Sequence, residues 1–185
     1  MKYNVDSIIG CGKVLQREDF VFFWGHIARA EKQMKACLSQ WFPCSFLVDD
    51  IYYNCAEQFM MAEKARLFHD EDSLQKIIQA YDPMEQKKLG RRVQGYDDVV
   101  WKSSCFDIVV KGNVAKFSQN LKLRDFLIST GDKILVEASP KDAVWGIGLD
   151  EESPDAINPR KWPGKNLLGF ALMEVRDIIK KKDER

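Results

Sequence analysis

A carboxylate and an amine, Glu57 and Lys64, stand seven residues apart in a stretch from Tyr52 to Phe68 that holds no Gly or Pro. At ~100° per residue, both fall on one helical face with Phe68, about two turns or roughly 10 Å apart along the axis. A carboxyl can take or give a proton at a breaking bond, and an amine attacks carbon once it is neutral. Met60 and Met61 flank that face while Phe59 and Ala62 point elsewhere, so apolar residues run nearly all the way round. Such a helix is buried. Ionisable groups on it must be paired or used, because desolvating them is costly. Two readings stay open from the helix alone. Each group is satisfied structurally, Lys64 by Glu63 or a nearby Asp; or both line a cleft, where burial raises an acid's pKa and lowers an amine's.

A second polar concentration follows a strand-like run: Glu137-Ala138-Ser139-Pro140-Lys141-Asp142-Ala143-Val144-Trp145-Gly146-Ile147-Gly148. Loops on rigid strands commonly carry sites. Asp142 is a candidate acid or base, Trp145 a face for stacking, and Gly146 and Gly148 would let a ligand approach the backbone. The alternative is a solvated Asp, a core Trp and two turn glycines. Trp101 and Trp162 read equally as core, rim or ligand platform. Arg91 and Arg92 follow a helix stop, and Arg91 is a cation for substrate phosphate or for solvent alone. Lys161-Trp162-Pro163-Gly164-Lys165-Asn166 precedes a helix, where backbone N–H groups can hold phosphate, but without a glycine fingerprint. Gly10-Cys11-Gly12-Lys13 lacks the spacing and the Ser/Thr of a P-loop. Cys55 adjoins the central helix, yet no His near it in sequence would activate a thiol.

These groups must be positioned by the following elements. The pattern predicts a strand at 20–25 and a hairpin at 46–53 turning on Asp49-Asp50. The central helix follows, with Asn54 as its cap. A short helix capped by Ser73 comes next, then one opened by Pro83 and stopped by Gly90. A helix starts near Tyr96-Asp97-Asp98 and runs through Val110, and another covers Ala115 to Ile128. A strand is expected at 134–138, a short β segment at 145–149, a surface loop at 150–165 and a closing helix at 166–180. Residues 1–19 show no clear period, 26–40 read as a charged connection with a helical turn near Glu31-Lys32-Gln33, and the last six residues as frayed. The fold class is α+β: a predominantly helical single domain, 1–185, with a small antiparallel β-sheet.

Length and composition narrow the function classes. One domain of 185 residues can bury a real core. With 28 basic and 28 acidic residues the net charge is +0, so no long-range field favours nucleic acid in general. The N-terminus lacks a signal-peptide core and no apolar run reaches membrane-spanning length, so a cytoplasmic or nuclear location without a membrane partner is expected. Five cysteines, widely spaced and without a C-x-x-C pair, argue against a disulfide framework and a zinc site. Two histidines, His26 and His69, have no second ligand at metal spacing. No metal and no cofactor are expected, and acid–base work falls to Asp, Glu and Lys.

Several strings together resemble the signature of the NADAR (YbiA-like) superfamily. They are Glu57-Gln58-Phe59-Met60-Met61-Ala62-Glu63-Lys64-Ala65, Leu89-Gly90-Arg91-Arg92-Val93, Lys116-Phe117-Ser118-Gln119-Asn120, Thr130-Gly131, Glu137 to Asp142 with Trp145-Gly146-Ile147-Gly148, and Gly164-Lys165-Asn166-Leu167-Leu168-Gly169. They occur in family order over about residues 20–180, the core of the single domain. Gln40 stands where the family usually has Asn after Leu-Ser, and residues 31–37 read as an insertion. The resemblance implies a mainly helical fold and hydrolysis of an N-glycosidic bond between ribose C1 and nitrogen. The implied substrates are ADP-ribose on the guanine amino group, in nucleic acid or nucleotide, and phosphoribosylamino-pyrimidine intermediates of riboflavin synthesis. A non-catalytic ADP-ribose-binding module is the reading from another class. The resemblance implies Glu57, Lys64 and Asp142 for catalysis, with Trp101, Trp145 and Asn166 near the ligand. Lys64 would form a Schiff base with C1, or water would attack with Glu57 as base.

Overall fold

The computed structural model describes residues 1–10, 12, 14–25 and 34–183. The helical turn expected near 31–33 lies outside the described residues. The chain divides into two compact units, Gln40–Leu121 and the pair of segments Met1–Ser39 and Lys122–Arg185.

The continuous unit is a hairpin followed by four helices. β2 (Phe46–Val48) and β3 (Ile51–Tyr53) pair antiparallel, with Phe46 opposite Tyr53. The turn residues Asp49 and Asp50 have φ of 50° and 62°, the left-handed pair of a two-residue hairpin that Asp tolerates. The helices are α2 (Ala56–Leu67), α3 (Glu71–Gln79), α4 (Pro83–Gly90) and α5 (Asp98–Gln119). α2 packs against α3, α4 and α5, and Phe59, Met60, Met61, Ala62 and Ala65 are all buried. An all-round apolar helix sits where the pattern puts it, inside.

Two caps differ from expectation. α2 is capped by Cys55 and not Asn54, whose backbone N–H instead donates to Gln58 Oε1 at 2.8 Å. α3 is capped by Asp70, whose Oδ1 accepts from the Ser73 backbone N–H at 3.0 Å. Ser73 is therefore the third helical residue. The two helices expected over 96–128 are one long α5 followed by α6 (Leu121–Ser129).

In the other unit, β1 (Phe20–Phe23) and β4 (Ile134–Glu137) pair in parallel, and α7 (Leu167–Asp183) packs on β4. All four β1 residues are buried, as a two-sided apolar strand must be. Residues 1–19 contain a short helix, α1 (Val5–Ile9), and a 3-10 turn at Arg17–Asp19. The β segment expected at 145–149 is instead a tight loop, joined to β4 by the Ile147 N–H donating to Glu137 O at 2.9 Å. The 150–165 loop is not all surface. Ala156 and Trp162 are buried, and Trp162 Nε1 donates to Ala156 O at 2.8 Å, so Trp162 is core.

Candidate active site

The continuous unit holds Glu57, Lys64, Arg91 and Trp101. Glu57 is in the first turn of α2 and only 5% exposed. Its backbone N–H donates to Gln40 O at 2.9 Å. The Gln40 side chain accepts through Oε1 from Asn113 Nδ2 at 2.7 Å, and Asn113 Nδ2 also donates to Val109 O at 2.9 Å. Gln40 therefore braces the turn that carries Glu57. Asn113 and Lys116, both 0% exposed, extend this polar patch along α5. Nothing in the apolar pattern of α5 marks those two positions, since i to i+3 polar residues on a long helix normally face water.

Two turns on, Lys64 is half-buried. Its Nζ lies 4.3 Å from the centroid of the Tyr96 ring and 5.3 Å from that of Trp101. Among the described residues no carboxylate pairs with it; Glu63 pairs instead with Arg66 at 2.6 Å. Burial, and then the positive charge of Arg91, hold the Lys64 amine below its ordinary value of 10.5. The ring faces act the other way, because a π-face attracts the ammonium form.

Close helix contact makes this arrangement possible. A Cβ on Gly90 would stand 2.1 Å from Met61 Sδ, and one on Gly112 would stand 2.4 Å from Phe59 Cδ1. The bare backbone lets α4 and α5 close on α2, and Arg91, next to Gly90, is thereby brought near Lys64. The Arg91 side chain is exposed and has no ion pair or hydrogen bond among the described residues. Tyr96, absent from the residues singled out by sequence, is the main addition. A lone exposed tyrosine just outside a helix carries no periodic signal.

Cys55, at the helix start, is not a nucleophile. Burial pushes the Cys55 thiol up to about 12, and its Sγ donates to Gln86 Oε1 at 3.1 Å. His69 is also structural. With φ of 56° it ends α2 in the left-handed conformation, and the next N–H, of Asp70, donates back to Ala65 O at 2.9 Å.

The discontinuous unit holds Asp142, Trp145, Gly146 and Asn166, and brings these four together. Asp142 Oδ1 accepts from the backbone N–H groups of Val144 and Trp145 at 2.9 and 2.8 Å, which fixes the loop bearing the half-buried Trp145. Asn166 is fully buried, with Nδ2 donating to Leu135 O and Oδ1 accepting from Glu137 N at 2.9 and 3.0 Å. Asn166 thus ties β4 to the start of α7. Gly146 lies in the same loop as Trp145. It is buried, and an added Cβ would lie 2.8 Å from Glu137 O and 2.9 Å from Asp142 O, so its bareness serves the loop's own packing. At the helix start the N–H groups of Lys165, Asn166, Leu167 and Leu168 are already given to Ala143, Gly146, Val144 and Trp145.

The model of the NADAR domain matches residues 22–180. The chain belongs to the NADAR domain family. This NADAR chain is 43% identical to an N-glycosidase of Acanthamoeba polyphaga mimivirus, over 88% of its own length and 98% of that protein's. It is 36% identical to the riboflavin biosynthesis protein PYRR, chloroplastic, of Zea mays over 58% of this chain, a match spanning 16% of the maize protein. Its fold is similar to the NMR structure of the E. coli protein YbiA, with a TM-score of 0.73 at 26% identity, covering 93% of this chain and 90% of that one.

Proposed function

We propose that this NADAR chain is an N-glycosidase cleaving the bond between ribose C1 and nitrogen, with ADP-ribose on the guanine amino group as leading substrate. The observation that carries the reading is the setting of Lys64: an amine held below its ordinary value, without a carboxylate partner, beside two aromatic rings and the free guanidinium of Arg91. A depressed amine is neutral, and so nucleophilic, from a lower pH than an ordinary lysine, an arginine suits a diphosphate, and a ring suits a base. The relatives named N-glycosidases support the bond type.

The chemistry balances as follows. Ring opening of the glycosylamine leaves an imine between C1 and the base nitrogen. The neutral Lys64 amine adds to C1, the base nitrogen takes a proton and departs as the free amine, and a Schiff base to Lys64 remains. Water adds to that bond, releasing the sugar as its aldehyde, which recloses, and regenerating the amine. Glu57, nearly buried on the same helix, carries the protons. Trp101 offers its ring face to the base.

The riboflavin intermediates are the second reading, favoured by the match to the maize protein named for riboflavin biosynthesis. A pure binding module has no use for an unpaired, depressed amine. The test offers the protein a guanine-ADP-ribosylated oligonucleotide and, in parallel, two phosphoribosylamino-pyrimidines, with chromatography of the products. Free ADP-ribose is expected. Release of ribose phosphate alone moves the assignment to the second reading, and no release from any of the three ends it. Borohydride during turnover should trap the sugar on Lys64; its absence there leaves direct water attack.

A further inference from the structure

We infer that Tyr96 is a positioning residue for the Lys64 amine, its ring face holding the lysine head in one orientation for attack. The inference rests on the reading that Lys64 does the chemistry. Tyr96 is 45% exposed, an expensive place for a large ring, yet the ring is fixed at three points. Lys64 Nζ lies 4.3 Å from its centroid, Phe68 meets it edge-on at 5.4 Å, and its hydroxyl donates to Asp98 Oδ1 at 3.1 Å. A lysine side chain has four rotatable bonds, so an amine with no ion pair would otherwise sample many rotamers. The ring attracts the head without the counter-charge that a carboxylate would bring.

The charged neighbours are few. From α4, Arg91 adds positive charge near Lys64; from the start of α5 come the Trp101 ring and, behind Tyr96, Asp98, which is itself tied to Lys102. Phe68, at the end of Lys64's own helix, is neutral. The ring face of Tyr96 is therefore the contact that a conservative change can remove without altering the charge around the amine.

The test uses the full chain with Tyr96→Leu, which keeps apolar cover but loses the π-face, and Tyr96→Phe, which keeps the face. Two readouts are taken: turnover, and the titration of the Lys64 Cε carbon by NMR, assigned against Lys64→Met. In Tyr96→Leu the Lys64 midpoint should fall by about half a pH unit, since the face that favours the ammonium is gone. Its kcat should fall about tenfold with KM within about twofold, and Tyr96→Phe should restore both. If the Leu variant does not fold, Tyr96→Gln takes its place with the same expectations. Leu or Gln matching the parent in both readouts overturns the inference, as does Phe behaving like Leu, which would assign the effect to the hydroxyl. Lys64→Met that keeps full turnover removes the catalytic reading of Lys64, a separate failure that leaves the titration to judge Tyr96.

Discussion

At the scale of single residues, the central quantity is how many protons Lys64 holds at neutral pH. Its amine attacks only when neutral, so kcat should rise as pH climbs through the Lys64 value and level off above it. Arg91 contributes to keeping that value low. Arg91→Gln removes a nearby positive charge, the ammonium becomes easier to keep, and the rising limb of kcat should move to higher pH. A limb that stays in place or moves down sinks the assignment of Lys64 to it. Stability has a matching sign. The unfolded chain holds the Lys64 proton up to its ordinary value of 10.5 while the folded chain releases it earlier, so stability rises with pH across that window.

Asp142 poses a different question, because its Oδ1 already has a structural task in the turn. Asp142→Asn keeps an acceptor for both N–H groups and removes only the charge; Asp142→Ala removes both. If the carboxylate serves the chemistry, Asn should melt like the parent and lose about a hundredfold or more in turnover. An active Asn variant beside an unstable Ala variant would leave Asp142 as a turn former alone. Glu57, Lys64, Arg91 and Trp101 could be proposed from the sequence because chemistry-bearing types stood at helical spacing or in a known string. Tyr96 and Asn113 were not, since each acts through a contact that only tertiary packing creates.

At the scale of elements, α2 was legible from a run of good helix formers without Gly or Pro, and the hairpin from Asp49-Asp50 between apolar runs. The run 96–128 was read as a helix through Val110 and another from Ala115, whereas α5 continues unbroken to Gln119. In the fold, Gly112 is where Phe59 meets the helix, and continuity costs less than a side chain there would. The run 145–149 reads as strand by composition, yet the surrounding backbone claims its hydrogen bonds one at a time, and no ladder forms. Gly112→Ala tests the packing argument. The added methyl must move a buried phenyl ring, so stability should fall by about 1–3 kcal/mol in urea unfolding, while the half-buried Gly131, whose Cβ would meet nothing within 4 Å but whose φ is 60°, should show only backbone strain when changed to Ala. A Gly112→Ala protein as stable as the parent would mean that Phe59 has room to give.

At the scale of the whole molecule, balanced charge and the order of pairing matter most. The parallel partnership of β1 with β4 had no local signature, because Phe20 and Ile134 are joined by nearly two thirds of the chain. By contrast, the β2–β3 hairpin closes over two residues, and α2 to α5 follow one another with short connections. Closing a flexible loop costs about 0.6 kcal/mol more for each doubling of its length, and several doublings separate these two pairings. The discontinuous unit also cannot form until both ends of the chain are present, whereas the continuous unit needs only its own residues. Refolding from urea with pulsed hydrogen exchange should therefore show two stages. Backbone amides of Ala65, Ile77 and Val109, buried in α2, α3 and α5, should gain protection first, and those of the β1–β4 ladder later. Ladder amides protected together with α2, or ahead of it, would mean that the long-range strand pair nucleates folding and that contact distance along the chain does not set the order.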